Sequence, residues 1–271
     1  MADQPKQGME NFYYENPELS DEAKAILKNY SGIPETEQTA HVRAVRDKAW
    51  QLYRYPCIGR FAFITFSIGQ SEHYHDALQR LKSGQNLLDL ACCFGQDLRK
   101  LVIDGAPPEN VVGSELEQGF IDLGYELFND SPEKLKAKFI AADFFDNSGS
   151  PAPGLEEHSY DMIHAASFFH LFGWDEQVAA WDRALKMLKP KPGSMIFGRQ
   201  TAVARATVLK HPATRSGEMY RHDLESFRDL VAGVAEKSGI EVDIEVHYVD
   251  GRLGAMSAEG WKMVRFCVSL K

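Results

Sequence analysis

The chain has 271 residues, 44% apolar and 25% charged, enough for one large domain with its own core and too apolar for extended disorder. Its formal net charge of −9 argues against a nucleic-acid partner, because such binding rests largely on basic groups meeting phosphates. No apolar run approaches the roughly 20 residues that cross a bilayer, and the polar start lacks the apolar core of a signal peptide, so a cytoplasmic protein is expected.

Residues 1–18 read as a polar arm. Ser20 caps a first helix, with Asp21 and Glu22 at its positive end and Gly32 closing it. A second helix is expected from Glu37 to Tyr55, with Val42, Val45, Ala49 and Leu52 on one face and Pro56 as its stop. From residue 85 strands and helices alternate. Strands are expected at 86–91, 110–115, 138–142, 160–165 and 194–198, and helices at 97–104 and 120–129. Ser, Pro and Gly make 147–158 a loop. Asp175 is expected to cap a helix that ends at Lys189, and Asp223 one that Gly239 closes. Two alternating runs end the chain, one with Val242, Ile244 and Val246, the other with Val264, Phe266, Val268 and Leu270.

Repeated strand–helix units imply a parallel sheet with helices on both faces, and two final strands without a helix between them imply an antiparallel hairpin. The expected fold is therefore α/β, a mostly parallel seven-stranded Rossmann-like sheet. An N-terminal helical arm and lid is expected over 1–75, and a cofactor-binding catalytic domain over 76–271. Cys57, Cys92, Cys93 and Cys267 contain no CxxC pair, so neither a disulfide framework nor a metal site is expected.

Ligands of open α/β sheets bind at the carboxyl ends of the strands. The loop after the first strand has small residues at Ala91, Cys93 and Gly95, which let the backbone pass close to a ligand. It lacks GxGxxG and any Walker pattern, so a ligand without a pyrophosphate fits it better. Glu115 ends the second strand, where a carboxylate can accept from both hydroxyls of a ribose. Asp143 and Phe144 follow the third, where a carboxylate and an amide can read an adenine. Asp89 can support the loop or meet an ammonium. Taken singly, Asp143 reads as a helix cap and Glu115 as a solvated strand end. Three successive strands ending in the required chemistry point to S-adenosyl-L-methionine.

The run Leu88-Asp89-Leu90-Ala91-Cys92-Cys93-Phe94-Gly95-Gln96-Asp97-Leu98-Arg99-Lys100-Leu101 resembles fungal class I methyltransferases of meroterpenoid and related secondary-metabolite pathways. Asp104-Gly105-Ala106-Pro107, Leu123 to Phe128, Ala142 to Phe145, His170-Leu171-Phe172 and Tyr55 to Arg60 extend the likeness over nearly the whole chain. The resemblance implies a class I methyltransferase fold and methyl transfer to a small molecule, often forming an ester at a carboxylate. Ala91 departs from the pattern, standing where such enzymes usually carry glycine, and a methyl group there is expected to crowd the cofactor's tail.

A carboxylic acid is ionised at neutral pH and needs no base, whereas a phenol does. His170, after the fourth strand, is the candidate catalytic residue; its alternative is packing under the lid. His164, on a strand, reads as structural. Arg60, Tyr55 and Arg199 are candidate acceptor contacts, with Gln200 beside the last. Trp50, Tyr53, Tyr55 and Phe61, together with the segment 201–222 and its Met219 and Tyr220, are expected to close over a hydrophobic acceptor; a core layer or a homodimer contact is the alternative. The leading expectation is O-methylation at a carboxylate. Phenol, nitrogen or carbon methylation, or a cyclisation or isomerisation that uses the bound cofactor without methyl transfer, are the alternatives.

Overall fold

A computed structural model describes residues 10–146, 152–210, 214, 216–250 and 260–271. Residues 1–9 of the expected arm and 147–151 of the expected loop lie outside these. The N-terminal part holds α1 (Asp21–Asn29), α2 (Glu35–Leu52), the short α3 (Pro56–Gly59) and α4 (Tyr74–Lys82). The expected cap on α1 is present: Ser20 Oγ accepts from the Ala23 amide at 3.1 Å. α2 stops at Leu52 rather than Tyr55, since Tyr53 is already extended.

Strands and helices then alternate: β1 (Leu87–Leu90), α5 (Gln96–Ile103), β2 (Val111–Glu115), α6 (Gln118–Phe128), α7 (Pro132–Leu135), β3 (Lys138–Ala141), β4 (Met162–Ala166) and α8 (Trp174–Met187). β5 (Met195–Val203), a hairpin of β6 (Thr207–Lys210) and β7 (Glu218–Arg221), α9 (Leu224–Lys237), β8 (Val242–Val249) and β9 (Trp261–Leu270) complete the chain. Asp223 caps α9, accepting from the Ser226 amide at 2.9 Å. Asp175 does not cap α8. The cap is Gly173, whose amide donates to Glu176 at 3.2 Å, and Asp175 sits within the first turn.

The seven-stranded sheet runs β3-β2-β1-β4-β5-β9-β8. Its first five strands are parallel; β9 is antiparallel to both β5 and β8. β5 continues past the expected end at Gly198 because β9 backs it as far as Val203 opposite Trp261. β6 and β7 were expected only as part of a lid and instead form a separate two-stranded sheet.

Alternation divides the core. Leu88, Leu90, Ile163 and Ile196 face α8 and α9, packing with Trp181, Phe227 and Phe266. Leu87, Met162, Met195 and Phe197 face the other way, toward Leu78 and Leu81 of α4 and Leu98 and Leu101 of α5. A third cluster joins Ala23, Val42, Val45, Ala49 and Trp50 of the N-terminal helices to Phe94, Phe120, Leu127 and Phe128. Strand order reverses beside β1: β2 and β3 lie on one side, β4 and β5 on the other. Such a switch point opens a crevice at the carboxyl ends.

Candidate cofactor and acceptor site

The loop leaving β1 alternates left-handed residues: Ala91 at φ +57°, Cys93 at +54° and Gly95 at +64°. Residues of this hand turn successive amides toward one side and form a concavity for a polar ligand. Two of the three carry a Cβ, at a cost of about 1–2 kcal/mol each in this region. Gly95 cannot: a Cβ there would lie 2.6 Å from the Phe139 ring. At Gly95 alone, therefore, the small residue is required by the surrounding structure.

Arg99 holds the loop from below. Its Nη1 donates to the carbonyls of Phe94 at 2.6 Å and Gly95 at 3.2 Å. Its Nε and Nη2 each reach Asp130 at 2.8 Å, and both side chains of this pair are fully buried. Tyr30, next to α1, donates to the same carboxylate at 2.7 Å, so the N-terminal helices share the anchor.

Glu115 stands at the end of β2 as expected and turns back onto the loop. Its Oε2 accepts from the Cys93 amide at 2.9 Å, and Oε1 from the Leu116 and Glu117 amides at 2.8 and 3.2 Å. Burial raises its pKa, against the pull of these amides. Asp143 follows β3, and its Oδ1 accepts from the Phe145 amide at 2.8 Å, which fixes the turn. The Phe144 ring packs on Phe168 at 5.3 Å, bringing the loop after β4 against the loop after β3.

Asp89 and His164 occupy facing positions of β1 and β4. His164 Nδ1 donates to Asp89 Oδ1 at 2.7 Å, and both side chains are buried. Asp89 Oδ2, also buried, has no hydrogen-bond partner. Asp97 of α5 completes the cluster, the three ligating atoms lying within 4.8 Å of one another. The Asp97 oxygens already accept from Ser67 Oγ at 2.7 Å and the Ile68 amide at 3.1 Å, donors that a cation would have to displace. Burial raises the Asp89 pKa, and His164 opposes it. Burial alone would lower His164, but its bond to Asp89 and the charges of Asp89 and Asp97 raise it. No local pattern marks the His164–Asp89 or Arg99–Asp130 pairs; both depend on which strands and helices become neighbours.

Of the residues expected to meet an acceptor, Tyr55 packs tilted against Tyr53 at 4.0 Å between centroids and lies 6.3 Å from Phe120. Burial, then the charges of Tyr53 and Glu115, raise the pKa of its hydroxyl. Arg60 caps α3, donates from Nε to the Pro56 carbonyl at 3.2 Å, and lies over Phe12 at 5.6 Å. Arg199 ends the part of β5 that pairs with β4, and its Nη2 donates to Thr65 Oγ1 at 3.2 Å. Its Nε is buried with no hydrogen-bond partner. Burial lowers its pKa, and the charge of Asp97 opposes that.

His170 lies in the 3-10 turn Phe169–Leu171, with Arg221 of β7 donating to its carbonyl. Its ring is buried, Nδ1 has no partner, and burial followed by the Arg221 charge holds its pKa well below 6.5. Trp50 and Phe61 are core residues of the helical cluster, while Tyr53 and Tyr55 are only partly buried at its edge. Met219 is buried, and Tyr220 packs on Trp174 at 4.8 Å. Two shallow surface grooves, one between α8 and α9 and one beside Pro190 and Gly239, contain none of the strand-end residues.

The residues suit S-adenosylmethionine on one observation above all. The left-handed loop lies beside a buried carboxylate with an unpartnered oxygen, as the ammonium of an amino acid would require.

Residues 12–64 match the meroterpenoid methyltransferase N-terminal domain, and residues 87–191 a methyltransferase domain. The chain is 41% identical over 240 residues to O-methyltransferase phiE of a fungal species, covering 87% of this chain and 79% of that one. It is 40% identical to the asnovolin E/chermesin D methyltransferase nvfJ of Aspergillus novofumigatus, covering 84% and 81%. Among solved structures, the cyclase SpnF superposes with a TM-score of 0.50 at 14% identity, covering 72% of this chain and 80% of that one. A phosphoethanolamine N-methyltransferase of Haemonchus contortus, solved with S-adenosyl-L-methionine, superposes with a TM-score of 0.51 at 14% identity, covering 92% and 60%. These last two likenesses concern the fold. The chain belongs to the fungal meroterpenoid and secondary-metabolite methyltransferases, and is an S-adenosylmethionine-dependent methyltransferase.

Proposed function

We propose that the enzyme methylates a carboxylate oxygen on a hydrophobic small molecule, forming a methyl ester. The observation that carries this reading is Arg199: a guanidinium at the end of the part of β5 that pairs with β4, whose Nε is buried without a partner. A half-buried guanidinium with one unmet donor is suited to an acid, and a carboxylate can take two guanidinium hydrogens at once. Arg60, which caps α3, and Tyr55, which precedes it, would supply further contacts to the acceptor. The likeness to phiE, an O-methyltransferase, supports oxygen as the atom methylated.

When bound, S-adenosylmethionine supplies a methyl group on a sulfonium, open to in-line displacement by a nucleophile. The chain's tasks are to align the acceptor and exclude water. Glu115 would accept from the ribose hydroxyls; Asp143 and the Phe144 amide would read the adenine; the 91–95 loop and Asp89 would hold the amino acid end. An ionised acid brings its own nucleophile, so no proton need be removed. His170 is then a neutral wall of the acceptor chamber. Its depressed pKa makes it a weak base, which favours an acid over a phenol as acceptor.

The test is calorimetric titration with S-adenosylmethionine followed by acceptor trials. Asp143→Ala and Glu115→Ala should each abolish binding in the range where the wild type binds. Hydrophobic carboxylic acids should then give methyl esters and the demethylated cofactor by mass spectrometry, and Arg199→Met should raise KM for the acid without weakening cofactor binding. Methylation of phenols but not acids, or an Arg199→Met enzyme with unchanged KM, would overturn the carboxylate reading.

A further inference from the structure

The His164–Asp89 pair has no role in the acceptor chemistry, yet it is buried beneath the cofactor loop. Two carboxylates, Asp89 and Asp97, share this space with one imidazole, and ligating atoms of all three lie within 4.8 Å. Asp97 is occupied by Ser67 and Ile68. Asp89 is different: one oxygen is taken by His164 and the other is unpartnered, although fully enclosed. A buried carboxylate oxygen left without a donor is costly, which is a reason to look for the donor in a ligand.

The carboxylate can rotate about its own bond, so an unpartnered oxygen alone does not define a direction. His164 supplies it. Its ring is fixed on a central strand, packed 5.3 Å from Phe197, and its Nδ1 lies in register with Asp89 across the β1–β4 pairing. We propose that His164 is a positioning residue for the cofactor: its Nδ1–H pins Oδ1 of Asp89, so that Oδ2 is presented to the ammonium of the cofactor's amino acid end. This rests on the assignment of that end to the 89–95 loop. The raised pKa of His164 agrees, since a ring that carries its proton firmly remains a donor to Asp89. The other charged groups that act on the ring are Asp97, which reinforces the proton, and Arg199, which opposes it.

Such a role has a signature that general loosening of the sheet lacks, because it affects one end of the ligand only. S-Adenosylhomocysteine and methylthioadenosine share the nucleoside and thioether, but the second lacks the amino acid. Their affinities are to be measured by calorimetry on the wild type, His164→Ala, His164→Asn, His164→Gln and Asp89→Asn, with thermal unfolding alongside. The Asn amide can stand where Nδ1–H stands; the Gln amide reaches beyond it. His164→Ala and His164→Gln should weaken S-adenosylhomocysteine by about tenfold and leave methylthioadenosine within twofold, by analogy with the low end of the loss when a partner orienting a metal ligand is removed. His164→Asn should recover most of the loss. If His164→Ala does not fold, the contrast between Asn and Gln decides.

Equal losses for both ligands, or no loss for either in His164→Gln, would overturn the positioning role. If Asp89→Asn weakens S-adenosylhomocysteine selectively while no His164 variant does, the tail assignment stands and the proposal alone fails. If Asp89→Asn leaves both affinities unchanged, the assignment of the tail to this loop fails, and the proposal with it.

Discussion

Arg99 and Asp130 form a fully buried, two-pronged ion pair at 2.8 Å, and the remaining prong of the same guanidinium holds the carbonyls of Phe94 and Gly95 in the loop after β1. Three aromatic rings, of Phe128, Tyr125 and Phe139, surround the guanidinium at 4.7, 5.3 and 5.8 Å. Removing one partner leaves the other charge buried and unpaired. Asp130→Ala is therefore expected to cost about 3–5 kcal/mol in denaturant unfolding. Its cofactor affinity should fall as well, because Arg99 would then be free to leave Phe94 and Gly95. An Asp130→Ala protein of wild-type stability would show that the pair is not a buried charge pair in solution.

Tyr30 contributes a single neutral donor to that carboxylate from the N-terminal helices. Tyr30→Phe keeps the ring and deletes the hydroxyl, so a loss of about 1 kcal/mol is expected. Hydrogen exchange should report the consequence at a distance, with faster exchange in residues 91–96 as well as around α1. Acceleration confined to α1 would mean that the helices and the loop do not share this anchor.

Ala91 at φ +57° is the residue where the loop departs from glycine. Relief of left-handed strain by Ala91→Gly favours the native state, while the added freedom of glycine in the unfolded chain opposes it. The net gain is expected to be about 1 kcal/mol or less. Cofactor affinity should hold or improve, since the backbone path is unchanged and a methyl group is removed. Weaker binding in Ala91→Gly would indicate that the methyl group packs on the ligand.

Acid should destabilise the protein through two buried histidines. Burial brings His222 down to about 4, aided by Arg221 and opposed by Asp223, and holds His170 well below its usual value. Unfolded histidines titrate near 6.5. Unfolding therefore takes up protons as pH falls from about 6.5 toward 4, and stability falls with it. His164, whose folded value is raised, works in the opposite sense: its contribution is present in acid and fades as pH rises through that value. Unfolding free energies measured between pH 7 and 5 should show a shallower acid loss in His222→Gln, by up to ~1.4 kcal/mol per pH unit. Parallel curves would mean that His222 is not held neutral.

Much of this was legible along the chain. The cap at Ser20, the cap at Asp223, the order of strands and helices, and the small residues at 91, 93 and 95 all follow from local rules, because each concerns a few neighbouring residues and their own backbone angles. Glu115, Asp143 and Phe144 could be placed at strand ends for the same reason: the end of a parallel strand lies at the carboxyl edge of the sheet whichever strands flank it. Tertiary structure decided what had no local signal. His164 meets Asp89 across 75 residues only because β4 lies beside β1, and Arg99 meets Asp130 across 31 only because α6 ends beside α5. The extension of β5 required β9 as a neighbour, and Trp50 and Phe61 became core residues only once the N-terminal helices had packed on Phe94 and Phe120. Burial, and with it the unmet donors and acceptors of Asp89, Arg199 and His170, belongs to the folded molecule, since water withdraws from a polar atom only when distant parts of the chain close over it.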